Sequence, residues 1–270
     1  MIPQAEVFRL AHRFGVGERV IEKDYVLSWV LVVIAESNLK DHVAFKGGTA
    51  LKKVYFPEYR FSEDLDFTLP RDLAHDELVG FLTGLLPSLL GRVNLRVDLT
   101  RADLRAHDST DVEVAYVGPL QATARPRRLK MDFTRGELLV NAPTEAELKA
   151  PEYDDYPKGI TLPTYGISEI VAEKLCALAD HRRTEPRDLY DVWWLFERGV
   201  TDRVLVTHDF LRKAEHKGHD PARLYHVLGE KDSRFESLWE TRLSQQVPQL
   251  PDFEEVMRTV RRHVRQLQLG

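Results

Sequence analysis

The sequence predicts an α/β (α+β) protein in which a mixed β-sheet core is followed by a C-terminal helical domain. Three observations predict it. Segments 64–69, 93–99, 111–117 and 127–134 alternate apolar and polar residues, as strands with one buried face do. Beyond residue 166 the apolar period becomes helical. Between the two patterns, 142–166 is rich in Pro, Gly, Tyr and acidic residues and reads as a loop or linker. The expected domains are therefore 1–150 and 151–270. A chain of 270 residues is long for one compact domain and comfortable for two small ones.

In order, 3–14 reads as a short helix. Val16 to Ala35 reads as a longer one, with Val20, Ile21, Tyr25, Leu27, Val30 and Leu31 on its apolar side. Val43-Ala44-Phe45 reads as a buried strand running into Gly47-Gly48, with a helix starting near Thr49. In 64–69, Leu65, Phe67 and Leu69 point one way, and Asp64, Asp66 and Thr68 the other. A helical stretch around 75–90 precedes the three further strands. Repeated neighbouring strands suggest a mixed sheet with helices on one face. The later helices are expected at 168–181, 185–198, 207–217, 220–229 and from about 252.

Composition narrows the class. With 43% hydrophobic and 30% charged residues the chain is expected to fold rather than stay disordered. A net charge of −5 rules out bulk electrostatic attraction to nucleic acid, so any such binding needs a local basic patch. One cysteine, Cys176, excludes an internal disulfide and argues against a cysteine metal site. The N-terminus lacks the apolar region of a secretory signal, and Tyr25–Ala35 is too short to span a bilayer. A cytoplasmic protein with no membrane partner is the expectation.

The chemistry concentrates between residues 45 and 67. Asp64 and Asp66 leave the same strand face with Cα atoms roughly 6.5–7 Å apart. That spacing lets two carboxylates bracket hard cations, as phosphoryl transfer requires. A solvated strand face would carry the same pair. Gly47-Gly48 lets backbone N–H groups approach phosphate, and Thr49 can add a hydroxyl donor. An ordinary strand-to-helix turn also favours glycine. The turn is not a Walker loop. Arg187-Asp188-Leu189 lacks the companions of a kinase catalytic loop, since Trp193 stands where the metal-binding Asn would be.

The run FKGGTALKKVYFPEYRFSEDLDF resembles the first motif of the polymerase-beta-like nucleotidyltransferase superfamily. With IEKDYVLSWVL, EKLCAL from Glu173 and RDLYDVWWL from Arg187, it resembles the abortive-infection toxin group AbiEii, which includes the MenT toxins. The likeness covers roughly 20–200. It implies a nucleotidyltransferase fold with a helical C-terminal domain. It implies NTP as substrate, Mg²⁺ (or Mn²⁺) as cofactor, and a growth-inhibiting toxin with a cognate antitoxin. It also implies RNA as acceptor, with the tRNA acceptor end in some members, and so a block on translation. Gly47, Gly48, Ser62, Asp64 and Asp66 fall on the first motif. Lys174 falls on the later lysine motif, and Arg187, Asp188 and Asp191 on the last.

Three expectations complete the site. Lys174 sits at the edge of a stripe formed by Ile167, Val171, Leu175 and Leu178, either snorkelling or gripping triphosphate. Asp191, on a helix with Trp193, Trp194, Leu195 and Phe196, needs a partner if buried and could orient Lys174. Among Asp98, Glu113 and Asp132, Asp132 is the expected third metal carboxylate, because it shares a polar strand face with Lys130. Ser62, two residues before Asp64, should lie near the triphosphate, where phosphorylation would compete with it. Candidate RNA patches are Arg125, Arg127, Arg128 and Lys130, and Arg258, Arg261, Arg262 and Arg265. Nucleotide binding without transfer, and nucleotidylation of a protein side chain, are the competing readings.

Overall fold

The computed structural model of the chain describes residues 1–71, 73–105, 109–121 and 125–269. They form two units, Met1–Glu137 with Pro143–Tyr165, and Leu138–Ala142 with Gly166–Gly270. The chain thus crosses between them more than once, and the sheet unit runs past the boundary expected at 150.

The first unit holds α1 (Gln4–Phe14), α2 (Glu18–Ala35), β1 (Ala44–Lys46), α3 (Gly47–Ala50), β2 (Asp64–Thr68), α4 (His75–Leu85) and α5 (Ser88–Val93). After them come β3 (Arg96–Leu104), β4 (Thr110–Val117), β5 (Arg127–Thr134), β6 (Thr144–Glu147) and β7 (Thr161–Thr164). The strands make one mixed sheet of order β3-β4-β5-β2-β1-β7-β6. The β1–β7 and β2–β5 pairs are parallel and the rest antiparallel. The expected alternation holds. Phe45, Leu65, Phe67, Met131 and Phe133 are buried, and the Phe67 and Phe133 rings stack 5.0 Å apart. Burying side chains of this size stabilises by about 1.5–3 kcal/mol each.

Two expectations change. The stretch 142–166 contains strands β6 and β7 and is not simply a linker. Parallel pairing with β7 covers an edge of β1 that would otherwise expose unpaired N–H and C=O groups. Second, α2 is buried almost all round, including Glu22 and Asp24. Those charges are met from outside the helix. Glu22 pairs with Arg127 and accepts from Leu120 N–H. Asp24 accepts from Lys53 Nζ at 2.6 Å and Tyr153 Oη at 2.8 Å, and Lys53 also reaches Glu152 at 3.4 Å. Burial raises the proton affinity of Asp24, but Lys53 and Lys52 hold its pKa below the ordinary 3.8. Next to it, Lys52 Nζ donates to the carbonyls of Pro57 and Tyr59 and lies 4.1 Å from the Phe61 ring centroid. Both lysines lie on Leu51–Tyr55, the π-helical turn that continues α3. These bonds tether the segment after the glycine turn to α2 and to the approach to β2.

The second unit is helical: α6 (Ile167–Ala179), α7 (Pro186–Glu197), α8 (Arg203–Lys217), α9 (Leu224–Glu230), α10 (Asp232–Leu243) and α11 (Phe253–Gln266). Helix α10 was not expected from the sequence. It buries Phe235, Trp239 and Leu243 at helical spacing. Buried Lys213 pairs with Glu169 and Glu173 and donates to the Leu138 carbonyl. Among the described residues no helix is long and apolar enough to cross a membrane.

Candidate active site

The site starts from strand register. On the polar face, Lys46 of β1 stands opposite Asp66 of β2, and Asp66 opposite Asp132 of β5. Asp132 in turn faces Asp111 of β4. Adjacent strands lie about 4.8 Å apart, so Asp66 and Asp132 are direct neighbours. Like charges placed directly opposite one another are destabilising. Oδ1 of Asp132 is buried and has no hydrogen-bonding partner among the described residues. Burial, followed by the Asp66 charge, pushes Asp132 up to about 6, against the opposing pull of Lys46.

The glycine turn is shaped by these carboxylates. Gly47 has φ +79°, and a Cβ there would lie 2.4 Å from Asp66 Oδ2. Only glycine fits on both counts. A Cβ on Gly48 would lie 2.9 Å from Arg60 Nη2 and 3.6 Å from Ser62 Oγ, so Ser62 is packed beside the turn. Thr49 differs from expectation. Its hydroxyl donates to the Asp64 carbonyl at 2.6 Å, a bond that ties the turn to β2 and spends the proton expected for phosphate. Lys46 pairs with Glu137, which also accepts from Thr68 at 2.7 Å.

Asp64, Asp66 and Asp132 line one cleft of about 280 Å³ with Arg101, Arg105, Asp111, Glu113 and Lys130. Arg101, Arg105 and Asp111 were not singled out in the sequence, although the β4 alternation already put Asp111 and Glu113 on one face. Asp98 does not line the cleft, and Glu113 is engaged by Arg128 at 2.6 Å. A hard cation would satisfy the partnerless oxygen of Asp132 and relieve its repulsion with Asp66, so the donor set fits a divalent metal in chemistry. As the side chains stand, no three His, Cys, Asp or Glu among the described residues are already gathered for a metal.

Lys174, Arg187 and Asp191 belong to the helical unit. Lys174 does not merely snorkel. Its Nζ lies 2.7 Å from Asp188 and 2.9 Å from Asp191, both buried. Burial disfavours the Asp188 charge, but Lys174 and Arg183 hold its pKa below the ordinary value. Arg187 pairs with Glu185 at 3.1 Å. Face parity splits the first candidate RNA patch. Arg127 turns inward to buried Glu22, whereas Arg128 and Lys130 lie on the polar face. In the second patch Arg261 and Arg262 pair with Asp232 and Glu197, and Arg265 lies over the Tyr225 ring.

A mixed sheet with neighbouring carboxylates beside a glycine turn is an arrangement suited to a nucleotide-transferring enzyme. Residues 29–259 match the family model for the nucleotidyl transferase AbiEii toxin of type IV toxin–antitoxin systems, and the chain belongs to that family. It is a nucleotidyltransferase toxin, with an NTP as substrate and an antitoxin as partner. Among solved structures it is similar to the nucleotidyltransferase toxin MenT4 from Mycobacterium tuberculosis, at 22% identity and a TM-score of 0.67. That alignment covers 99% of this chain and 90% of the other. It is also similar to JHP933 from Helicobacter pylori, at 18% identity, a TM-score of 0.56 and 93% coverage of each chain. At these identities the likeness shows the fold alone. No curated protein sequence matches the chain at a significant level.

Proposed function

We propose that this toxin transfers a nucleoside monophosphate from an NTP to the 3′ hydroxyl of an RNA, the acceptor end of tRNA, and so stops translation and growth. Asp64, Asp66 and Asp132 are the residues that would hold magnesium. The observation that carries the reading is Asp132, a carboxylate in register with Asp66 whose buried Oδ1 lacks a partner among the described residues, beside an obligatory glycine turn. Magnesium bound there supplies Lewis-acid stabilisation of the phosphoryl oxygens and of the leaving group. Gly47 and Gly48 keep side chains out of the space where the triphosphate approaches the backbone. Thr49 and Lys52 hold that turn against β2 and its approach. In the transfer, the 3′ oxygen bonds to the α-phosphorus as the bond from that phosphorus to the β-phosphate oxygen breaks. Pyrophosphate leaves, and the hydroxyl proton passes to water. The acceptor assignment draws on the resemblance to toxins that modify tRNA. The test is incubation with each labelled NTP, magnesium, and total RNA or total protein. One NTP should label the 3′ end of small RNA. Label confined to protein, or absent from both, would overturn the assignment.

A further inference from the structure

The cleft has two unlike sides. The glycine turn follows β1, on one side of the Asp64–Asp66 strand. On the other side stand β5, β4 and β3. There the register places Asp64 opposite Lys130, Lys130 opposite Glu113, and Glu113 opposite Arg101. Charges therefore alternate along the row. Each arginine has a carboxylate: Arg101 pairs with Asp103, and Arg105 with Asp111 at 2.8 Å. Both arginines are about half exposed, at 53% and 52%, so these pairs are worth little and exchange readily for a ligand. Lys130 differs. Glu113, its cross-strand neighbour, is taken by Arg128, and Lys130 has no ion pair among the described residues. An exposed lysine thus projects into an acidic cleft, with one of its two cross-strand carboxylates, Glu113, taken by Arg128 and the other, Asp64, on the strand of the candidate metal pair.

In-line displacement sets what this side faces. The attacking oxygen and the leaving pyrophosphate lie on opposite sides of the α-phosphorus. If the triphosphate lies along the glycine turn, the acceptor enters over β5 and β4. An acceptor 3′ end carries a phosphodiester close to its reacting hydroxyl. We propose that Lys130 binds this terminal phosphodiester of the acceptor strand, and that Arg101 and Arg105 continue the track for the next phosphates. The proposal rests on the RNA-transfer reading above and assigns it a residue. It also explains how an acidic protein engages a polyanion, through a few cations on one sheet face and not through net charge.

The experiment compares wild type, Lys130→Ala and Lys130→Arg, with total tRNA as probe. It measures KM for tRNA and for NTP, and the salt dependence of tRNA binding by fluorescence anisotropy. Melting curves control for folding, which the exposed position should leave intact. For Lys130→Ala, KM for tRNA should rise about ten-fold, the salt slope should fall by about one, and KM for NTP should hold. Lys130→Arg should restore most of the affinity. Wild type that labels tRNA, with Lys130→Ala unchanged in tRNA KM and salt slope, overturns the Lys130 assignment alone. A rise in NTP KM instead places Lys130 on the donor side and also overturns it. Wild type that labels no RNA overturns both readings together.

Discussion

Two carboxylates of the sheet unit, Asp24 and Asp132, lie in opposite states. Asp24 is almost wholly buried and fully answered. Lys53 and Tyr153 reach it from other parts of the chain and hold its pKa down. Asp132 is only half-buried, yet one oxygen has no hydrogen-bonding partner among the described residues, and its nearest cross-strand neighbours are Asp66 and Asp111. Its pKa rises to about 6. Where the chain supplies the counter-ion, a carboxylate holds the fold. Where its cross-strand neighbours are themselves carboxylates, a carboxylate is left with repulsion. The cost of the second arrangement is local repulsion, and perturbed carboxylates of this kind cluster at functional sites.

The comparison can be broken most severely at the chemistry. Asp66→Asn should lower nucleotidyl transfer by about a thousand-fold or more, since charge stabilisation by a bound metal is worth several kcal/mol. Its melting temperature should match or exceed that of wild type, because the repulsion with Asp132 is gone. A variant that retains transfer at wild-type expression would remove Asp66 from the site.

The next largest effect is on stability. Asp24→Asn leaves Lys53 buried with Glu152, at 3.4 Å, as its remaining carboxylate, and should cost about 3–5 kcal/mol in urea unfolding. The folded pKa of Asp24 lies below 3.8, so its contribution is complete above that value. It is lost as the pH falls through the folded value, and wild type and variant should converge in acid. Equal stability of the two at neutral pH would show that the pair is not holding the fold.

The smallest effect sharpens the contrast from the other side. With divalent cations chelated, ionised Asp132 destabilises the sheet above about pH 6, and protonation relieves this below. Asp132→Asn should therefore melt higher than wild type at neutral pH, and the gap should narrow progressively as the pH falls from about 6 towards the ordinary 3.8. A gap independent of pH would assign the difference to packing.

Much of the site was legible because period-two alternation fixes faces without any knowledge of partners. Asp64, Asp66, Lys130 and Asp132 fell on one face from sequence, and register then brought them together. The glycine turn was legible too, though its reason was not. The need for Gly47 comes from the Asp66 carboxylate as well as from backbone conformation. Strands β6 and β7 were hidden because TEAE and TLPT carry charge and proline in place of branched apolar residues. The burial of Lys52 and Lys53 was hidden as well. Their partners Asp24, Pro57 and Tyr59 are set by tertiary contact, and no local pattern reports that. One signal was present, an aspartate inside the apolar run of α2. Arg127 misled for the complementary reason, since its inward face was readable but buried Glu22 was not.

The pairing of Phe45 with Thr164 has a consequence for synthesis. The strand that carries the glycine turn leaves the ribosome early, and the strand that covers its edge leaves more than a hundred residues later. A nascent chain that has not yet extruded Thr164 holds Asp64, Asp66, Asp132 and the turn, but β1 is still a bare rim of the sheet. Long-range closure of this kind is slow, and an open rim invites pairing with foreign strands. Chains that terminate before residue 165 should therefore be aggregation substrates and not short toxins.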